Sequence, residues 1–162
     1  MLRPAARADA AAMSRLWTDA GVRRYLGGPV RGEALRSRER GYAGAVGLFA
    51  AVLGADDGPV VGSLLVEPES RRDGRTEVSY QLLPERWGRG YGREAVAAVV
   101  SWALAEVTPE RPEVVAVTQE ANVRSRRLLE AVGMRRVAAF TEWGAPQVLY
   151  STGPGGTGGA RP

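Results

Sequence analysis

The sequence predicts a single α/β domain in which a mixed, mostly antiparallel sheet is flanked by helices. Three observations carry that expectation. A chain of 162 residues, 44% apolar and 25% charged, suits one soluble core of ordinary size. After two helical stretches, its first half alternates β-prone runs with Asp/Gly/Pro turns, which is the pattern of antiparallel hairpins. Its second half changes to strand, helix, strand, and a strand that returns through a crossover helix pairs in parallel.

Residues 1–3 read as a short strand and 8–20 as a helix, because Ala8 with Ala11 and Ala12 with Leu16 recur at helical spacing. Gly21 and Gly27-Gly28-Pro29 punctuate the chain before a second helix over 31–42. Strands follow at 48–53 and 60–67 around the turn Asp56-Asp57-Gly58-Pro59. A third, at 76–83, follows the turn Arg71-Arg72-Asp73-Gly74. The helix over 91–106 stacks Ala95, Val99 and Trp102 beside Val96, Val100 and Ala103 on one face. Pro109 and Pro112 end it. A short buried strand at 114–117 leads to a helix over 122–132, which Gly133 stops as a C′ residue. Strands at 137–142 and 147–151 complete the sheet. The Gly/Pro-rich stretch 153–162 predicts a disordered tail, leaving 1–152 as the folded unit.

The composition excludes much chemistry. There is no His, Cys, Lys or Ile, and all 22 basic residues are Arg. That removes disulfides, thiolate nucleophiles, His-based triads, Lys Schiff bases, phosphate-loop lysines and His/Cys zinc sites, so no metal is expected. Reactivity must come from Asp/Glu, Ser/Thr, Tyr, Arg, backbone amides or a borrowed cofactor. No apolar run approaches a membrane span and no signal-like stretch follows Met1, so the expected location is the cytoplasm, away from membranes. The net charge of +4 fits nucleic acid, an acidic surface or a polyanionic small ligand. No stretch interleaves Arg with aromatics, which argues against a nucleic-acid groove.

Two segments carry chemistry. In Trp87-Gly88-Arg89-Gly90-Tyr91-Gly92-Arg93-Glu94-Ala95, three alternating glycines stand where a strand turns into a helix. Glycine permits close backbone approach, and a helix N-terminus offers unpaired N–H groups and partial positive charge, a combination suited to pyrophosphate. A Walker loop would need a Lys, and a dinucleotide fingerprint starting at Gly88 would put Arg93 at its third glycine. The second segment runs from Asn122 through Ser125 to Gly133-Met134. Asn122, the only Asn, suits an N-cap. Arg124, Arg126 and Arg127 oppose the helix dipole unless a polyanion lies nearby.

In this order and spacing, Trp-Gly-x-Gly-Tyr-Gly-x-Glu-Ala and Asn-x-x-Ser-x-x-Leu-Leu-Glu-x-x-Gly-Met resemble the GNAT acetyltransferase superfamily, and within it the RimJ/RimL-type N-acetyltransferases. Leu2-Arg3-Pro4 and residues 22–27 and 77–85 are similar to that branch as well, so the likeness runs to about Thr152. The resemblance implies a sheet splayed between the parallel strands 76–83 and 114–117, with acetyl-CoA as cosubstrate in the slot. It implies that Trp87, Gly88, Arg89, Gly90, Tyr91, Gly92 and Arg93 wrap the pyrophosphate with their backbone amides. Leu82 and Leu83 would pair with the pantetheine arm, and Asn122 and Ser125 would face pantetheine and thioester. A basic residue common near Ala131 is absent, so 3′-phosphate recognition falls to Arg126 or Arg127.

The implied reaction is direct attack of a primary amine, from a protein N-terminus or a small molecule, on the thioester in a ternary complex. An amine needs orientation more than a protein nucleophile. Many members place a general-acid Tyr where Leu129 stands, so that role is unavailable here. Ser125 is the expected partner of the departing thiolate. Glu142, near a Glu of the RimJ/RimL branch, and Glu77 are the candidate bases. The missing Tyr keeps a catalytically weak coenzyme A-binding regulatory module open, and the basic charge keeps a nucleic-acid-binding domain open. A monomer and a homodimer are equally compatible with the sequence.

Overall fold

A computed structural model describes residues 1–70, 74–107 and 112–153. Seven strands form one sheet: β1 (Leu2–Pro4), β2 (Leu48–Val52), β3 (Val60–Glu67), β4 (Thr76–Leu82), β5 (Val114–Gln119), β6 (Arg135–Glu142) and β7 (Ala145–Ser151). Their order is β1-β2-β3-β4-β5-β7-β6, antiparallel throughout except for β4 and β5. Four helices flank the sheet: α1 (Ala10–Thr18), α2 (Gly32–Gly41), α3 (Tyr91–Trp102) and α4 (Val123–Ala131).

Strand alternation assigns the two cores. On β2, Ala50 and Val52 face one side of the sheet and Ala51 the other. The first side takes Met13, Leu16 and Trp17 of α1, with Tyr42 and Leu83. The opposite side takes Val96, Val99 and Val100 of α3 and Leu129 of α4 against Val66, Val78, Val114 and Tyr150.

The parallel junction determines the function of the fold. β4 and β5 share register only at Thr76↔Val114 and Glu77↔Val115. Beyond that point β5 stays paired with β7 as far as Gln119, while β4 stays paired with β3 as far as Leu82. The sheet therefore opens into a wedge along Val78–Leu82.

The elements expected from sequence all form, with shifted ends. The first helix begins two residues late, behind a 3-10 turn over Arg7–Asp9. The crossover helix ends in a π-helical turn over Ala103–Val107, and Trp102 leans out 40% exposed, edge-on to Phe49 at 5.1 Å. Strand β6 starts at Arg135 because pairing with β7 continues past an irregularity between Arg136 and Ala138. Gly153, expected to begin a loose tail, is buried: its N–H bonds Ser151 Oγ and its carbonyl accepts from Arg135. Residues 154–162, the turn residues 71–73 and Pro109 lie outside the described residues.

The N-terminal strand is tied down by charge. Arg3 donates two bonds to the Asp9 carboxylate at 2.7 and 2.8 Å, and the Ala6 N–H donates a third at 2.8 Å. These bonds, led by the one from Arg3, hold the Asp9 carboxyl below the ordinary value of 3.8 against the opposing effect of burial. The folded state therefore favours the ionised form. Its contribution is complete above pH 3.8 and is lost as the pH falls through the depressed value. Asp9→Ala should cost about 1.5–3 kcal/mol, the range for hydrogen bonds to charged groups, with the loss largest at neutral pH in urea melts.

Candidate active site

The wedge between β4 and β5 is the floor of a cleft of about 370 Å³. One end is closed by the turn into α3. Gly90, the N-cap of that helix, has φ +84, and a Cβ built on it would meet nothing within 4 Å. The left-handed backbone and the open space together leave the first amides of α3 facing the cleft, without intrahelical partners. Gly92 serves a different purpose. A Cβ there would lie 2.8 Å from Leu128 Cδ1 and 3.4 Å from Leu82 Cδ1, so it permits α3 to pack on α4 and β4.

Trp87 fastens this turn to both walls. Its indole N–H donates to the Leu82 carbonyl at 2.8 Å, and the Arg124 guanidinium lies 4.1 Å over its ring. Arg86, Arg93, Arg124 and Arg127 line the cleft, and among its described lining residues there is no Asp or Glu. Arg86 Nε is buried without a hydrogen-bond partner among the described residues. A low-dielectric slot with four cations and unpaired N–H donors attracts a polyanion.

The middle of the cleft holds two hydroxyls, those of Tyr80 and Ser125. Asn122 caps α4, its Oδ1 accepting from the Ser125 N–H at 3.2 Å. This cap fixes Ser125 in the first turn, where Ser125 Oγ lies 2.7 Å from Tyr80 Oη. Tyr80 projects from β4 and is pushed up to about 12, chiefly by burial, with Tyr150 adding and the Ser125 bond opposing. It stays protonated at physiological pH, donating to the Ser125 carbonyl at 3.3 Å or sharing a hydrogen bond with Ser125 Oγ in which either hydroxyl can donate.

The sequence-derived residues are placed unevenly. Leu82, Trp87, Gly88, Gly90, Gly92, Arg93, Asn122, Ser125 and Arg127 all line the cleft. Leu83 does not: its side chain is 3% exposed in the core under α1 and its N–H bonds the Val61 carbonyl. Tyr91 turns instead toward β1 and β2, beside Leu2 and Val52, and Arg89 is exposed outside the cleft lining. Arg126 points away, donating to the Glu120 carbonyl at 3.1 Å. Neither carboxylate is among the residues that line the cleft. Glu142 ends the edge strand β6, and Glu77 opens onto a separate groove beside Glu67 and Glu69. No group of His, Cys, Asp or Glu suited to a metal ion occurs among the described residues. No helix among them is long and apolar enough to cross a membrane.

Sequence reasoning gave Tyr80 and Gln81 no role in the site and did not assign Arg86 and Arg124 to the cofactor. Tyr80 had a usable signal, since it alternates with Val78 and Leu82 and must share their face of β4. Arg124 had only its position, a cation set against the dipole of α4; its stacking depends on where Trp87 lands.

The geometry has known counterparts. A GNAT acetyltransferase from Bacillus anthracis matches with TM-score 0.77 and 22% identity over 93% of this chain and 92% of that one. The spermidine N-acetyltransferase of Vibrio cholerae, solved with CoA and spermine, matches with TM-score 0.75 and 13% identity over 93% of each chain. Among curated proteins, the FsC-acetyl coenzyme A-N(2)-transacetylase of Aspergillus fumigatus is 33% identical over 73 residues, 45% of this chain. The match takes in 30% of that longer protein. The family model described as an acetyltransferase (GNAT) domain matches residues 1–135, and the chain belongs to that family.

Proposed function

We propose that this protein is an acetyl-CoA-dependent N-acetyltransferase of the RimJ/RimL type, acting in the cytoplasm on a primary amine. The observation that carries the reading is the β4–β5 wedge, which joins an Arg-lined helix N-terminus to the Tyr80–Ser125 pair. The residues present fit the cosubstrate. Four arginines without a carboxylate among the described lining residues, and the partnerless Arg86 Nε, match its phosphates. In this reading the amides of 88–93 with Arg86 and Arg93 hold the pyrophosphate, Arg124 and Arg127 supply further charge, and Asn122 and Ser125 border the thioester.

Bound acetyl-CoA supplies a thioester that an amine attacks directly: an N–C bond forms, the C–S bond breaks, and the nitrogen loses the proton that sulfur gains. Ser125 donates its hydroxyl hydrogen bond toward the sulfur. Tyr80 positions that hydroxyl by donating to Ser125 Oγ, leaving the Ser125 proton directed into the cleft. Burial of Tyr80 strengthens its bond to Ser125. With no carboxylate among the described lining residues, the proton released from the incoming ammonium leaves through water.

That same lack favours a second reading, a coenzyme A-binding module with weak catalysis. One experiment separates the two. Free thiol release from acetyl-CoA should be stimulated by amines if transfer occurs. If acetyl-CoA raises the melting temperature but no amine stimulates release, the binding-module reading holds.

A further inference from the structure

On the other face of β4 lies a second cavity, of about 270 Å³, between the sheet and helices α1 and α2. Its floor is set by register. Ser63 faces Gln81 and Leu65 faces Ser79 across β3 and β4, so these four side chains tile one patch. Trp17 and Tyr42 form its apolar wall, and Arg38 from the last turn of α2 its charged rim. Ser79, Tyr80 and Gln81 line this cavity and the β4–β5 cleft alike, so the two spaces share this stretch of β4.

Three features give the cavity a chemical preference. No Asp or Glu occurs among its described lining residues, so it offers a polycation no counter-charge. Arg38 pairs with none of the described carboxylates: its neighbour Glu39 accepts from Ser14, and Glu33 takes Arg36 and Arg40. Gln81 Oε1 is buried and meets no donor among the described residues. Arg23 reinforces the positive field. Its guanidinium is fixed by the carbonyls of Gly28 and Leu26, and burial, with Arg38 as the second cause, lowers its pKa.

We infer that the acceptor is a small aminocarboxylate, its carboxylate held by Arg38 and its amine directed to the thioester by Gln81 Oε1. A charge-assisted bond to Arg38 satisfies the unpaired cation, and an amine N–H satisfies the orphaned amide oxygen. The volume lies below the roughly 300–1,000 Å³ of pockets for drug-sized ligands, which suits an amino acid with an apolar side chain against Trp17 and Tyr42. The inference rests on the acetyl-transfer reading and adds the acceptor's charge to it.

The test uses matched pairs: alanine with ethylamine, leucine with isopentylamine, and phenylalanine with phenethylamine, with spermidine as the polycation. Binding to the coenzyme A-loaded protein is measured by calorimetry and transfer by thiol release. In at least one pair the amino acid should bind and react roughly 10- to 100-fold better than its decarboxylated partner. Arg38→Glu, an exposed substitution, should erase that preference while acetyl-CoA affinity is unchanged, and Gln81→Leu should weaken amine binding in the same pair. Equal or better use of the decarboxylated amines or spermidine, no binding by any amino acid, or no effect of Arg38→Glu would overturn the inference. Failure to bind acetyl-CoA at all would instead overturn the acetyl-transfer reading on which it stands.

Discussion

Ser125→Ala is expected to lower kcat about 100-fold, the lower end of general-acid contributions, while acetyl-CoA affinity changes by less than about twofold. In the proposed reaction the hydroxyl borders the thioester, so its loss acts on the transition state rather than on ground-state binding. Folding should be little affected, because Tyr80 Oη keeps a second acceptor, the Ser125 carbonyl at 3.3 Å. Tyr80→Phe should reduce kcat less, by about 10-fold, since Tyr80 positions Ser125 rather than touching substrate. The buried tyrosine is protonated to about 12, so it contributes no basic limb to the pH–rate profile below that range. Its raised value means that the folded state favours the neutral form. The corresponding stabilisation is complete below pH 10 and is lost as the pH rises toward 12.

Gly90→Val should weaken acetyl-CoA binding by about 100-fold or more and leave the chain folded. A left-handed φ of +84 costs an L-residue roughly 1–2 kcal/mol, well short of the 5–15 kcal/mol that holds a typical domain together. The new Cβ meets no protein atom within 4 Å, so the branched side chain occupies the space that a phosphate would use above the α3 amides. Gly92→Val is the contrasting variant. Its Cβ falls 2.8 Å from Leu128 Cδ1, and the melting temperature should drop along with binding. Equal loss of stability in both variants, tracked by thermal melts, would mean that the Gly90 turn is a packing device and not a ligand site.

Much of this architecture was legible because it is local. The hairpins around Gly58 and the period-3.6 face of Val96, Val99 and Val100 are set by neighbours within a few residues. So is the Asn122 cap, which needs only the Ser125 N–H three residues on. The glycine turn into α3 was readable for the same reason, since alternating glycines before a helix are a contiguous signal. What escaped depends on contacts distant in sequence. Tyr80 meets Ser125 across 45 residues, and their meeting requires β4 and β5 to part after two pairs. Glu142 and Glu77 were attractive as the carboxylates on the right strands. Strand order decided otherwise: β7 inserts between β5 and β6 and carries Glu142 to the edge, and Glu77 lies in the part of β4 still paired with β5. Leu83 falls just outside the cleft lining, because the chain leaves the sheet into a 3-10 turn at Pro84 and drives its side chain into the opposite core.

Hydrogen exchange of backbone amides with and without acetyl-CoA tests the placement of the cosubstrate most directly. Slower exchange is expected in residues 88–94 and 122–128, which border the wedge, and unchanged exchange in β2 and in the groove beside Glu67 and Glu69. Protection that spares both 88–94 and 122–128, or that is confined to the Glu67 groove, would contradict it.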